Sequence, residues 1–168
     1  MTNNFLFEPD MAAKTIRVVR EFNAPVEKVW KAWTEADLIE KWVAPKPWTA
    51  KFKIMDFTVG GISLYLMANA EGMKHWVYAE FTAIEKGKSF STTGMFCDDE
   101  GYPVDEGPKS YRETKFSSID GNRSKVEQLI TFTDESTIKW FVEGGFKEGT
   151  IITLDQLDEI LAEPHLIA

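Results

Sequence analysis

The chain has 168 residues, 43% hydrophobic and 27% charged, the balance of a folded globular protein rather than a disordered one. That length suits one domain spanning 1–168 and is enough to bury a sizeable core. A formal net charge of −8 argues against nucleic acid or an anionic membrane as partner, and no stretch approaches the roughly 20 apolar residues that cross a bilayer. Cys97 is the only cysteine, so no intramolecular disulfide forms. The opening MTNNFLFEPDMAAK has neither the charged start nor the apolar run of a secretory leader. The expected compartment is the cytoplasm.

Residues 1–12 read as a loose leader. TIRVVREFN (15–23) reads as a strand, rich in β-branched residues and ending at NAP. Pro25 can open a helix, because the first turn does not need its amide proton. Val26, Val29, Trp30 and Trp33 follow at the spacing of an amphipathic stripe. Thr34 is expected to cap a second short helix whose buried face is Leu38, Ile39 and Trp42, ended by Pro45 and Pro47.

From Trp48 the period changes from 3.6 to 2. Trp48, Ala50, Phe52 and Ile54 alternate with Thr49, Lys51 and Lys53, which predicts a strand with one apolar and one wet face. Gly60–Gly61 turns into ISLYLMA. HWVYAEFTAI and KSFSTTGMFC follow, joined by the turn EKGK. DDEGYPVDEGPK (98–109) is an acidic loop. SYRETKFSSI and SKVEQLITF flank DGN, a strong hairpin signal, and in the latter Val126, Gln128, Ile130 and Phe132 share a face. A short helix, DESTIKWFVE, precedes Gly144–Gly145. The segment 146–163 then reads as one helix of about 25 Å with Leu154, Leu157 and Leu161 on its buried stripe, halted by Pro164 and followed by a tail, 164–168. An apolar sheet face needs a cover, and this helix is the natural one.

Residues that carry chemistry are sparse. His75 and His165 lie far apart, and no H-x-x-H, C-x-x-C or H-E-x-x-H occurs, so no metal site and no cofactor is expected. Asp98, Asp99 and Glu100 lack the spacing of a calcium loop and read as a solvated tip. Cys97 has no neighbouring base to activate it. The glycines of GGFKEG do not have phosphate-loop spacing.

The order of elements and three motifs resemble the START-like superfamily (SRPBCC, helix-grip), and within it the family of the C-terminal domain of the activator of heat-shock-protein-90 ATPase. The motifs are NAPVEKVWKAWTEADLIEKWVAP (23–45), DFTVGG (56–61) and EGTIITLDQLDEIL (148–161). Gly149, Leu154, Leu157 and Leu161 match the last of these, while Thr150 stands where the family usually has tryptophan. The resemblance, from about 14 to 162, implies an α+β helix-grip fold: a curved antiparallel sheet of about six or seven strands wrapped around a long C-terminal helix, with a cavity between and two short helices after the first strand.

The implied function is a soluble binding module for a small hydrophobic or aromatic ligand, lipids included. A cyclase- or hydrolase-like enzyme using the same cavity and a regulator of the heat-shock-protein-90 ATPase are the alternatives. The known activators carry a further N-terminal domain, so chaperone contact is expected to be weak. The expected ligand-binding residues are Trp33, Trp42, Trp48, Phe52, Ile54, Tyr78, Phe90, Phe96, Arg112, Phe116, Gln128, Ile130, Leu154 and Leu157. Trp42 and Trp48 flank the proline-rich exit, where core packing and a cavity rim are both open readings. Tyr78, Arg112 and Gln128 are polar groups on faces that read as inward, where each needs a partner. A bulge that exchanges faces is the other reading of these three.

Overall fold

The computed structural model describes residues 4–104 and 106–163. Strands β1 (Phe5–Asp10) and β2 (Thr15–Phe22) lead into helices α1 (Val26–Thr34) and α2 (Ala36–Ile39). Six further strands follow: β3 (Thr49–Met55), β4 (Ile62–Ala68), β5 (Lys74–Glu85), β6 (Ser89–Met95), β7 (Lys109–Asp120) and β8 (Arg123–Phe132). Helices α3 (Glu135–Glu143) and α4 (Phe146–Leu161) close the chain. The strands make one curved antiparallel sheet in the order β1-β2-β8-β7-β6-β5-β4-β3. This is the helix-grip arrangement, with eight strands among the described residues rather than six or seven. The added strand is β1, inside the segment expected to be loose. Its backbone pairs with residues 15–20 of β2, and the Phe7 ring packs 5.9 Å from Phe146. The pairing of β1 with β2 is a tertiary fact that a six-residue stretch ending in Pro-Asp does not announce.

The register divides the sheet into two faces. On the inward face β2 contributes Ile16, Val18, Arg20 and Phe22, all buried, opposite Ile130, Gln128, Val126 and Ser124 of β8, also buried. The buried stripe of α4 is Leu154, Leu157, Ile160 and Leu161, with Leu157 at 0% exposure. These side chains and the inward residues of β2 and β8 form one hydrophobic cluster.

Two polar devices fix α4. Arg20, inward on β2, reaches Asp155 at 3.0 Å and Asp158 at 2.8 Å. Gln156 accepts a hydrogen bond from the Lys46 amide and donates to the carbonyls of Trp42 and Ala44, each at 2.9 Å. A buried amide that uses both of its ends in this way orients the helix instead of costing stability. The segment between α2 and β3 is thereby held against α4.

Thr34 does not cap α2. It ends α1, and its hydroxyl donates back to the Trp30 carbonyl at 2.8 Å, leaving Glu35 in the cap position. α3 has the expected kind of cap: the Asp134 carboxylate accepts from the Thr137 amide at 2.8 Å. Pro164, the expected stop of α4, and the tail with His165 lie outside the described residues.

Candidate functional site

The inward face has a closed end and an open end. At the closed end the rings of Trp30, Trp33, Phe57, Phe81, Phe90 and Phe116 meet mostly edge-to-face, with centroids 4.9–6.0 Å apart. This is the preferred geometry of aromatic pairs. Thr114, between Phe116 and Arg112 on the inward face of β7, has 0% exposure. The cluster is solid.

Two residues further along each strand the character changes. Ser110 of β7 stands opposite Gly94 of β6, Gly94 opposite Ala79 of β5, and Ala79 opposite Ser63 of β4. Four adjacent strands thus present four small side chains in one row, all on the inward face and all half-buried. A Cβ on Gly94 would lie 2.9 Å from the Ser110 hydroxyl, so the row is tight laterally. On one side it is bordered by Arg112 and Thr92, which are paired, and on the other by Val77, Tyr65 and Phe52. These five are half-buried as well, and the Phe52 and Tyr65 rings lie 5.1 Å apart. The row is therefore the floor of a recess.

Electrostatics mark the same place. Burial pushes the Tyr65 hydroxyl up to about 12, against a smaller opposing pull from the positive charge of Arg112. Burial likewise lowers Arg112 from its ordinary value, with Tyr65 acting the other way. Both side chains keep some access to solvent, yet both are enclosed by protein on most sides, as groups in a concave wall are. At neutral pH Tyr65 is a neutral hydroxyl and Arg112 a cation. Among the described residues neither makes a hydrogen bond, and no carboxylate lies within 4 Å of the guanidinium.

The residues expected at a ligand site fall into four groups. Arg112 and Phe52 border the recess, and Phe96, just beyond β6, packs its ring 6.2 Å from Trp140 of α3. Phe90, Phe116, Gln128, Ile130, Leu154 and Leu157 are inward and buried, and the Gln128 amide donates to Thr114 over a long 3.4 Å. Trp42 is 5% exposed and its indole donates to the Ala32 carbonyl at 2.9 Å, so the packing reading describes it. Trp33 lies 4.8 Å from Trp42 with the rings tilted, its buried indole N–H has no partner among the described residues, and Trp48 is half-buried beside β3.

Ile54 and Tyr78 are corrections. A register shift between Phe52 and Ile54 sets Ile54 opposite Leu64, on the outer face, where it is 42% exposed. Tyr78 pairs with Leu64 and Met95 on that same face, one residue out of step with the inward Ala79. Tyr65, which replaces it in the recess, was not foreseen. In ISLYLMA the inward Ser63, Tyr65 and Met67 alternate with outward Leu64 and Leu66, so no hydrophobic period betrays the faces.

Elsewhere the polar residues are structural. The Asp98 carboxylate accepts from the amides of Glu100 and Tyr102 and shapes the loop tip. The Cys97 thiol is pushed up by burial and then by Asp98, away from the reactive thiolate. Among the described residues no group of His, Cys, Asp and Glu could hold a metal ion, and no helix is long and apolar enough to cross a membrane.

Residues 23–162 match the family described as activator of Hsp90 ATPase homolog 1-like protein. The chain belongs to this family. Among solved structures this family member is similar to a protein of Arthrobacter aurescens, at 32% identity and a TM-score of 0.86 over 95% of this chain and 92% of that one. It is also similar to a protein of Mycobacterium smegmatis, at 26% identity and a TM-score of 0.86 over 98% and 99%. An AHSA1 protein of Silicibacter pomeroyi, 20% identical, shares the fold with a TM-score of 0.70 over 88% of this chain and 97% of that one. No curated protein matches.

Proposed function

We propose that this family member is a binding module for a small hydrophobic or aromatic molecule, held between the sheet and α4 over the row Ser63, Ala79, Gly94 and Ser110. The observation that carries the reading is the contrast within one face. Inward residues of β2 and β8 are buried beside α4, and Phe81, Phe90, Thr114 and Phe116 are buried at the closed end, whereas Tyr65, Val77, Thr92 and Arg112 are left half-buried around the small side chains of the open end. Ligand pockets have this make-up, mostly apolar walls with a few convergent polar groups. The reading takes the cytoplasm as its compartment, supported by a chain with a single cysteine.

The same groups favour binding over catalysis. Tyr65 holds its proton far above neutral pH, which suits a hydrogen-bond donor and not a base. A regulatory role at a chaperone is suggested by the family's description alone. The binding reading predicts no saturable rise in the ATPase rate of the chaperone when this protein is added.

The test is titration with the neutral fluorophore N-phenylnaphthylamine. Saturable binding by the wild type, weakened at least tenfold when Ala79→Leu fills the floor, is the expected result. Absence of saturable binding across a varied panel of apolar and aromatic compounds would overturn the reading.

A further inference from the structure

The chain has four arginines, and three of them are paired. Arg17 reaches Glu127 at 3.0 Å, Arg20 reaches Asp158 at 2.8 Å, and Arg123 contacts Glu21 at 2.6 Å. Arg112 has no such pair among the described residues, although it sits on the inward face of β7, opposite buried Ile130. Its nitrogens are not sealed away either. The buried side-chain polar atoms without partners belong, among the described residues, to Arg20, Trp33, Arg123 and Ser124. The guanidinium therefore faces accessible space while being largely stripped of bulk water. A cation in such a position is costly unless an anion comes to it.

Tyr65 supplies the complement. Across the small-residue floor its hydroxyl also lacks a partner among the described residues, and it too is a donor at neutral pH. Two groups able to donate, with no carboxylate beside the guanidinium among the described residues, define what is missing. A planar carboxylate takes two parallel hydrogen bonds from a guanidinium and has lone pairs left for a hydroxyl. The bordering Phe52 and the floor of Ser63, Ala79 and Gly94 suit a flat apolar body attached to that head.

We infer that the ligand of this recess is a small aromatic carboxylic acid bound as its anion, with Arg112 holding the carboxylate and Tyr65 donating to it from the opposite wall. This rests on the binding reading above and adds the charge and chemical class of the ligand. The rest of the protein gives anions no help, since its net charge is −8. Selectivity for the anion must then come from Arg112 locally.

The experiment compares naphthoate with naphthamide, which share a ring system and differ in charge, as competitors of bound N-phenylnaphthylamine. Wild-type protein is expected to prefer naphthoate by about ten- to hundredfold, the range of a charge-assisted hydrogen-bonded pair. In Arg112→Gln that preference should vanish, the ratio of the two competitors being read within the same variant. Arg112→Lys should restore part of it, and Tyr65→Phe should lower it by a smaller factor. Equal wild-type affinities, or a preference that survives in Arg112→Gln, overturns the inference and leaves the recess as a site for neutral ligands. Absence of saturable binding by the fluorophore and across a varied panel of apolar and aromatic compounds removes the binding reading and the inference together. Should Arg112→Gln fail to fold, the wild-type preference between the two competitors still decides.

Discussion

The two ends of the inward face use similar residues to opposite effect. At the closed end Trp30, Phe57, Phe81, Phe90 and Phe116 meet edge-to-face and leave Thr114 without exposure. At the open end Phe52 and Tyr65 also pair, but they stand over Ser63, Ala79, Gly94 and Ser110 and remain half-buried. Aromatic content therefore does not tell a core from a site in this sheet. What tells them apart is the size of the residues in the adjoining cross-strand row and the presence of polar groups without partners. The closed end stabilises the fold, and the open end carries Arg112 and Tyr65, enclosed and without hydrogen-bond partners among the described residues, the groups that the proposed ligand would engage.

Mutation should break this symmetry. Phe116→Ala, in the closed cluster, is expected to cost about 3–5 kcal/mol in chemical denaturation, because the surrounding rings cannot collapse into the space. A loss under ~1 kcal/mol would mean the cluster is looser than its ring geometry implies. Gln156→Ala, which frees the Lys46 amide and the carbonyls of Trp42 and Ala44, should cost about 1–3 kcal/mol. That substitution should leave the naphthoate preference intact, since Gln156 holds α4 and takes no part in the recess.

Tyr65 gives a signature in alkaline titration. Its folded value of about 12 lies above the ordinary 10, so the fold favours the protonated form. The associated stability is fully present below pH 10 and is lost as the pH rises through 12. Ultraviolet difference titration should show one of the tyrosines ionising late, and Tyr65→Phe should remove that late step. Late ionisation unchanged in Tyr65→Phe would place the enclosed hydroxyl elsewhere.

The smallest expected change in stability comes from Arg112. Arg112→Met replaces an enclosed cation, unpaired among the described residues, by an apolar chain of similar reach, and thermal stability should stay level or rise while the anion preference disappears. A marked fall in melting temperature would show that Arg112 stabilises the fold directly.

The sequence made the architecture readable where one face alone is apolar. Val126, Gln128, Ile130 and Phe132 alternate cleanly on β8, and the leucines of α4 mark a helical stripe that is buried as expected. Legibility failed where both faces are covered or where register shifts. The outer face of β5 carries Trp76, whose indole donates to the Asp99 carbonyl, and Gly101 packs against its ring. With apolar residues on both sides, β5 and β4 lose the period-2 signal, so Tyr78 was read as inward and Tyr65 was passed over. The irregularity after Phe52 similarly exchanged the face of Ile54. Arg112 was found because a charge on a face shared with Phe116 is anomalous if that face is inward. Its lack of a partner among the described residues is a fact of three dimensions that no spacing encodes.

The open end, and not the outer face or the closed cluster, is the proposed ligand site. Backbone amide chemical-shift mapping during titration with naphthoate tests it most directly. The account predicts saturable shifts concentrated at Ser63, Tyr65, Ala79, Gly94 and Arg112, with little change at Ile54, Tyr78 and Phe116. Shifts confined to the outer face or to helix ends, or none at saturating naphthoate, would contradict it.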